Sequence, residues 1–131
     1  MLVYCIDVDD ERKHRIAREI VERTDGPTYV LSTQVLQELY ATVTRRLKRA
    51  FPAERADEAV QAFFDLSIVQ VDTSIIRDAM PASQRWQLSF WDALIVQSAL
   101  RAGCKRLITE DLQDGQRFDG LVVENPFKKA R

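Results

Sequence analysis

Apolar residues return every three or four positions through much of this chain, and the breaks in that rhythm mark the elements. Ile16, Ala17, Ile20 and Val21 form the stripe of a helix over residues 15–23. Val35, Leu36, Leu39, Val43 and Leu47 form the face of a longer helix that Ser32 or Thr33 caps and that reaches about Arg49. Pro52, well suited to a first helical turn, opens a third helix to about Phe64. A fourth over residues 73–84 is expected to be interrupted at Pro81, which lacks an N–H and clashes with the preceding turn. A fifth runs over residues 89–102 and is closed by Gly103.

Short apolar runs with no helical period lie between these helices. Residues 28–31, 67–71, 106–109 and 121–123 read as strands, and Asp25-Gly26-Pro27 reads as a turn. Leu2-Val-Tyr-Cys-Ile6 reads as a strand or a buried turn ending in Asp7. Strands alternating with helices through short links predict an α/β sandwich, a mostly parallel central sheet flanked by helices. With no repeat, linker or low-complexity tract, the 131 residues are expected to form a single domain.

The fifth helix carries the most informative residue. Asp92 falls in its first turn, at the end of the stripe formed by Ile95, Val96, Ala99 and Leu100, with Gln97, Ser98 and Arg101 on the opposite side. A carboxylate facing a core needs hydrogen bonds, a cation or a metal. Ser89-Phe-Trp-Asp92 also matches a capping box, in which the serine caps the helix and the acid reaches back to a backbone N–H. Position alone leaves capping and metal ligation equally open.

Two further acids fall where a parallel sheet forms its sites, beyond the carboxyl ends of strands. Asp111 follows the strand that ends at Thr109, and Glu38 lies in the first two turns of the helix after the strand that ends at Leu31. Gathered carboxylates repel one another and need a cation to stay ionised together. Oxygen ligands select Mg²⁺, with Mn²⁺ as the alternative. Read singly, Glu38 is a solvated acid beside its helix's apolar stripe and Asp111 a turn residue; only their joint placement points to a metal.

Composition removes other classes. Nineteen basic against twenty acidic residues give a net charge of −1, so no global excess of positive charge announces nucleic acid. Cys5 and Cys104 sit in apolar contexts far apart, the pattern of buried free thiols in a reducing cytoplasm. Neither a membrane span nor a secretory signal is evident. The single histidine, His14, lies among charged residues and is expected on a solvated surface, which argues against a serine–histidine hydrolase. A receiver-like module lacks its lysine, since Lys105 precedes a strand rather than following it.

Five blocks in order resemble the PIN-domain ribonucleases, and most closely the VapC toxins of bacterial toxin–antitoxin pairs. They are Leu2-Val-Tyr4 with Asp7, Asp9 and Lys13-His14; Leu31-Ser-Thr-Gln-Val-Leu-Gln-Glu38; Leu88-Ser-Phe-Trp-Asp92-Ala-Leu-Ile95; Leu107-Ile-Thr-Glu-Asp111-Leu-Gln-Asp-Gly115; and Val123-Glu-Asn-Pro-Phe127. The resemblance implies a PIN-like three-layer α/β sandwich and a Mg²⁺-dependent endoribonuclease toxin. It also implies a homodimer and a cognate VapB-type antitoxin. Carried over residue by residue, Glu38, Asp92 and Asp111 are the catalytic and metal-binding acids. The family's opening strand, which ends in an Asp, precedes a segment like Leu2-Val-Tyr4, so the chain reads as N-terminally short. Three readings stay open: a start site upstream of Met1, an inactive remnant that acts only by binding an antitoxin or dimer partner, or residues 2–6 taking the central strand position with Asp7 standing in as ligand.

RNA as substrate rests on this resemblance. The basic clusters Arg12, Lys13, Arg15, Arg18 and Arg45, Arg46, Lys48, Arg49 read as solvated helix faces balanced by acids such as Glu11 and Glu22. Trp86, Phe90 and Trp91 are expected to pack in the core rather than to stack bases. The helices near residues 35–47 and 56–64 carry more apolar residues than one face need bury, which makes a partner groove or dimer seam there an expectation.

Overall fold

The computed structural model describes residues 11–22, 29–45 and 51–128. Their elements are α1 (Glu11–Glu22), β1 (Val30–Ser32), α2 (Thr33–Arg45), α3 (Ala53–Gln61), β2 (Ser67–Val69), α4 (Thr73–Trp86), α5 (Phe90–Arg101), β3 (Arg106–Ile108), β4 (Arg117–Phe118) and β5 (Leu121–Glu124). The expected run 2–6, the turn at 25–27 and the tail of the second helix from 46 to 49 lie outside the described residues.

The α/β class and the mostly parallel pairing follow the expectation. β1 pairs parallel with β2, with Leu31 opposite Ile68; β3 pairs parallel with β5, with Leu107 opposite Val123; and β4 runs antiparallel on β5. Among the described residues these make two sheets rather than one, β1-β2 and β3-β5-β4.

Three apolar clusters hold the elements. Ala17, Leu36, Leu39, Val43, Val60 and Phe63 join α1, α2 and the α3 region. Ile75 and Ala79 of α4 meet Ala93 and Leu94 of α5. Val96 and Ala99 on another side of α5 meet Phe118, Leu121 and Val123 of the three-stranded sheet, with the Trp86 ring tilted against Phe118 at a centroid distance of 5.0 Å. α5 is therefore a central helix that buries several faces, and it touches both β1 and β3. This corrects the two-sided reading of the helix. Ser98, expected on the polar side, is 4% exposed and donates its hydroxyl to the Leu94 carbonyl at 2.7 Å. A hydroxyl that bonds its own preceding turn needs no solvent.

Local sequence explains the ends. Ser32 caps α2 by accepting from the Val35 N–H, and Asp72 caps α4 by accepting from the Ile75 N–H. α5 closes in a Schellman motif: Gly103 takes a φ of 76°, and the Gly103 and Cys104 N–H groups donate to the Leu100 and Ala99 carbonyls. Two expectations fail. α4 runs through Pro81 without interruption. Pro81 and Arg77, whose carbonyl the missing N–H would have met, are both exposed, so water can satisfy that carbonyl. β4 was not anticipated, although Asp119-Gly120, at φ 49° and 90°, is the dipeptide that a tight hairpin favours.

Residues 11–18 prove less solvated than their charge pattern suggests. Lys13 pairs with Glu110 at 2.9 Å and Arg12 donates to the Phe127 carbonyl, whereas Arg15 and Arg18 stay exposed as expected, Arg18 balanced by Glu22. His14, expected in solvent, is half-buried. No helix among the described residues is long and apolar enough to cross a membrane.

Candidate functional site

A cleft of about 1210 Å³ opens between the two sheets. β1 forms one wall, β3 the other, and Ile95, Ser98 and Ala99 of α5, with Ala102 just past its end, the floor. The links fix its polarity. Gln34, just past β1, donates to the Trp91 carbonyl at the start of α5, and α5 leads through a short turn into β3. β3 thus returns toward the end of the cleft where β1 stops. Glu38, Glu110 and Asp111 line the cleft and all follow these strand ends.

Asp92 stands in the first turn of α5, half-buried, between two residues that line the cleft, Trp91 and Ile95. The capping question now has a geometric answer. Ser89 accepts from the Asp92 N–H at 3.1 Å, so the serine half of the box forms. The reciprocal bond, from the Ser89 N–H to the Asp92 carboxylate, does not form, and among the described residues that carboxylate has no hydrogen-bond or ion-pair partner. It stays available, at the positive end of a helix dipole.

Glu38 is exposed on α2, where its Oε1 accepts from Gln34 Nε2 at 3.1 Å. Asp111 is exposed one turn beyond β3, its N–H donating to Thr109 Oγ1 at 3.1 Å. Its neighbour Glu110 is taken by Lys13. Glu38 and Asp111 therefore line the same cleft and Asp92 stands in the helix beside it, but the three do not form a closed set. No group of three or more His, Cys, Asp or Glu among the described residues is near enough to hold a metal ion. Their donor chemistry, carboxylate oxygen alone, suits a hard divalent cation.

The sequence reading missed Gln34. It is 7% exposed, and its amide nitrogen spans Glu38 and the Trp91 carbonyl, which ties the helix bearing one acid to the helix bearing another. Its Oε1 is buried with no partner among the described residues. The i, i+4 spacing of Gln34 and Glu38 was the one available signal. The aromatic expectation holds for Trp86, packed on Phe118, and for half-buried Phe90, but fails for Trp91, which is 64% exposed at the cleft. Helical rotation explains it: Ala93 and Leu94 take the buried positions, leaving the indole edge-on to Phe90 at 5.5 Å and open to solvent.

Cys104, at the opposite end of the cleft from the acids, is a free thiol whose ionisation is pushed up by burial. It is no candidate nucleophile, because a raised thiol is a weak one at neutral pH.

No curated protein matches the chain. A family model does: that of the PIN domain matches residues 1–118. The matched span holds all three acids and the whole cleft, and the chain belongs to the PIN domain family, whose members are typically nucleases that use divalent metal ions.

Proposed function

We propose that this chain is a Mg²⁺-dependent endoribonuclease of the VapC toxin type, with Glu38, Asp92 and Asp111 as its acidic site. The observation that carries the reading is the carboxylate of Asp92, which sits beside the cleft without being consumed by the cap that its own sequence motif offers. Bound there, a divalent cation would supply charge to the scissile phosphate and acidity to a water molecule.

The chain's own residues do the rest. Gln34 holds the Glu38 carboxylate and the start of α5 together, so the acids on α2 and α5 keep a fixed relation. Trp91 offers an exposed aromatic face beside Asp92 on which an unpaired RNA base can stack, an interaction worth about 1–3 kcal/mol per base. Single-stranded RNA suits such a site, because its bases are free to splay out. A homodimer and a VapB-type antitoxin belong to the same proposal.

A second reading, an inactive PIN remnant that only binds its partner, draws on the lack of a closed three-acid group among the described residues. Cation dependence separates the two. The proposal expects single-stranded RNA to be cut with Mg²⁺, cutting to stop with EDTA, and excess Mg²⁺ to restore it. A folded protein that leaves RNA intact at every Mg²⁺ and Mn²⁺ concentration rejects the nuclease and favours the remnant.

A further inference from the structure

Trp91 lines a second, smaller pocket as well as the cleft. This pocket, about 290 Å³, falls at the small end of ligand sites. Ile76, Phe90 and Leu94 make its wall apolar, Gln34 and Gln37 add two amides, and no charged side chain lines it among the described residues. A phosphate gains no counter-charge there, whereas a flat neutral ring with polar edges finds both an aromatic face and hydrogen-bonding groups.

The pocket is tied to the acids by sequence and by one side chain. Trp91 directly precedes Asp92, and Gln37 directly precedes Glu38. Gln34 Nε2 joins the Glu38 carboxylate to the Trp91 carbonyl, at 3.1 Å each. A nucleotide is built in the same way, with a phosphate and a base held one sugar apart. RNA whose phosphate rests at the acids therefore has a base to place in the adjoining pocket.

The amides set the choice of base. Gln34 Nε2 meets two oxygens that only accept, which fixes the orientation of its amide. Its Oε1 is thus a committed acceptor, buried and without a partner among the described residues. Such an acceptor is costly until a donor meets it. Gln37 is exposed, and its amide holds no hydrogen bond among the described residues. A glutamine amide pairs two-pronged with adenine, taking an amino N–H on its oxygen and giving an N–H to a ring nitrogen. Adenine carries that pattern on both sides of its amino group and cytosine on one, whereas uracil has no amino group. The second amino N–H of adenine is left for a further acceptor.

We infer that this pocket seats an unpaired adenine of the RNA next to the cut phosphate, an inference that rests on the nuclease reading. The ring lies against Trp91, one amino N–H goes to Gln37 Oε1, and Gln34 Oε1 is the further acceptor. Trp91 and Gln37 are then specificity residues and not catalytic ones.

Binding of labelled hexanucleotides in EDTA, followed by fluorescence anisotropy, tests the pocket apart from cleavage. The probes are an all-adenine form, an all-uracil form and the adenine form with every 6-amino group removed. The parent chain is expected to hold the adenine form at least about tenfold more tightly than either of the others, because a site built for a donor rejects the analogue that lacks it. Gln37→Ala is expected to shrink that preference at least about threefold. Trp91→Ala is expected to weaken every form about fivefold or more, with Trp91→Phe restoring most of the loss. Equal affinity for the three probes, or a preference untouched by Gln37→Ala, overturns the proposal. So does the absence of binding to any of them, which would leave the pocket to a protein side chain. RNA cut without regard to base would remove the adenine pocket and leave the nuclease reading. An adenine preference in a protein that cuts no RNA would reject the nuclease and leave the pocket standing.

Discussion

Ser89 and Asp92 share one turn of helix, yet their roles are separable. Ser89 Oγ satisfies an N–H that the helix start leaves orphaned, and nothing in its geometry reaches the cleft. Ser89→Ala is therefore expected to cost about 1 kcal/mol in thermal unfolding and to leave RNA cleavage within a fewfold of the parent. Cys104 gives a second residue-scale test, through pH. Burial raises its folded ionisation above the ordinary value of 9.0, so folded and unfolded thiols are both protonated below that value. The unfolded thiol ionises first as pH climbs, and this contribution to stability is lost as pH rises from 9.0 through the folded value. Alkylation of Cys104 at pH 9 is expected to be slower in the native protein than in urea; equal rates would contradict the burial. At this scale the sequence was readable where the partner is local. The S-x-x-D spacing announced the cap, but the burial of Gln34 could not be read, because the carbonyl that holds it belongs to Trp91, 57 positions away.

Among the elements, α4 holds the clearest anomaly. It keeps Pro81 in its interior although a proline there typically costs about 3 kcal/mol. The exposed site softens that cost by letting water reach the Arg77 carbonyl. Pro81→Ala is expected to stabilise the protein by about 1–3 kcal/mol in urea denaturation, and a variant no more stable than the parent would mean that α4 is bent to suit the proline. The periodic pattern found the helices because their apolar faces repeat locally. It misjudged α5 because that helix packs against α4 and against the three-stranded sheet, and so buries Ser98 along with its apolar residues. β4 is only two residues long, too short for any alternation, and only the Asp119-Gly120 turn could have revealed it.

At the scale of the whole molecule, β1, β3 and α5 surround a shared cleft. Helix–strand alternation made the α/β class readable from sequence. The pairing of the described strands into β1-β2 and β3-β5-β4 was not, because pairing depends on which edges meet in space. The same holds for the docking of α1, whose Lys13 finds Glu110 from 97 positions away. That docking, the Gln34 bridge and the Schellman turn into β3 all bring acids to one end of the cleft. These acids are proposed to cut RNA. The most direct test is single-turnover cleavage of a single-stranded RNA with Mg²⁺ by the parent chain, Asp92→Asn and Ser89→Ala, each shown to be folded. Cleavage is expected from the parent and Ser89→Ala, with a loss of about a hundredfold or more in Asp92→Asn, since a misplaced reacting group alone costs that much. Cleavage by Asp92→Asn at the parent's rate would contradict it.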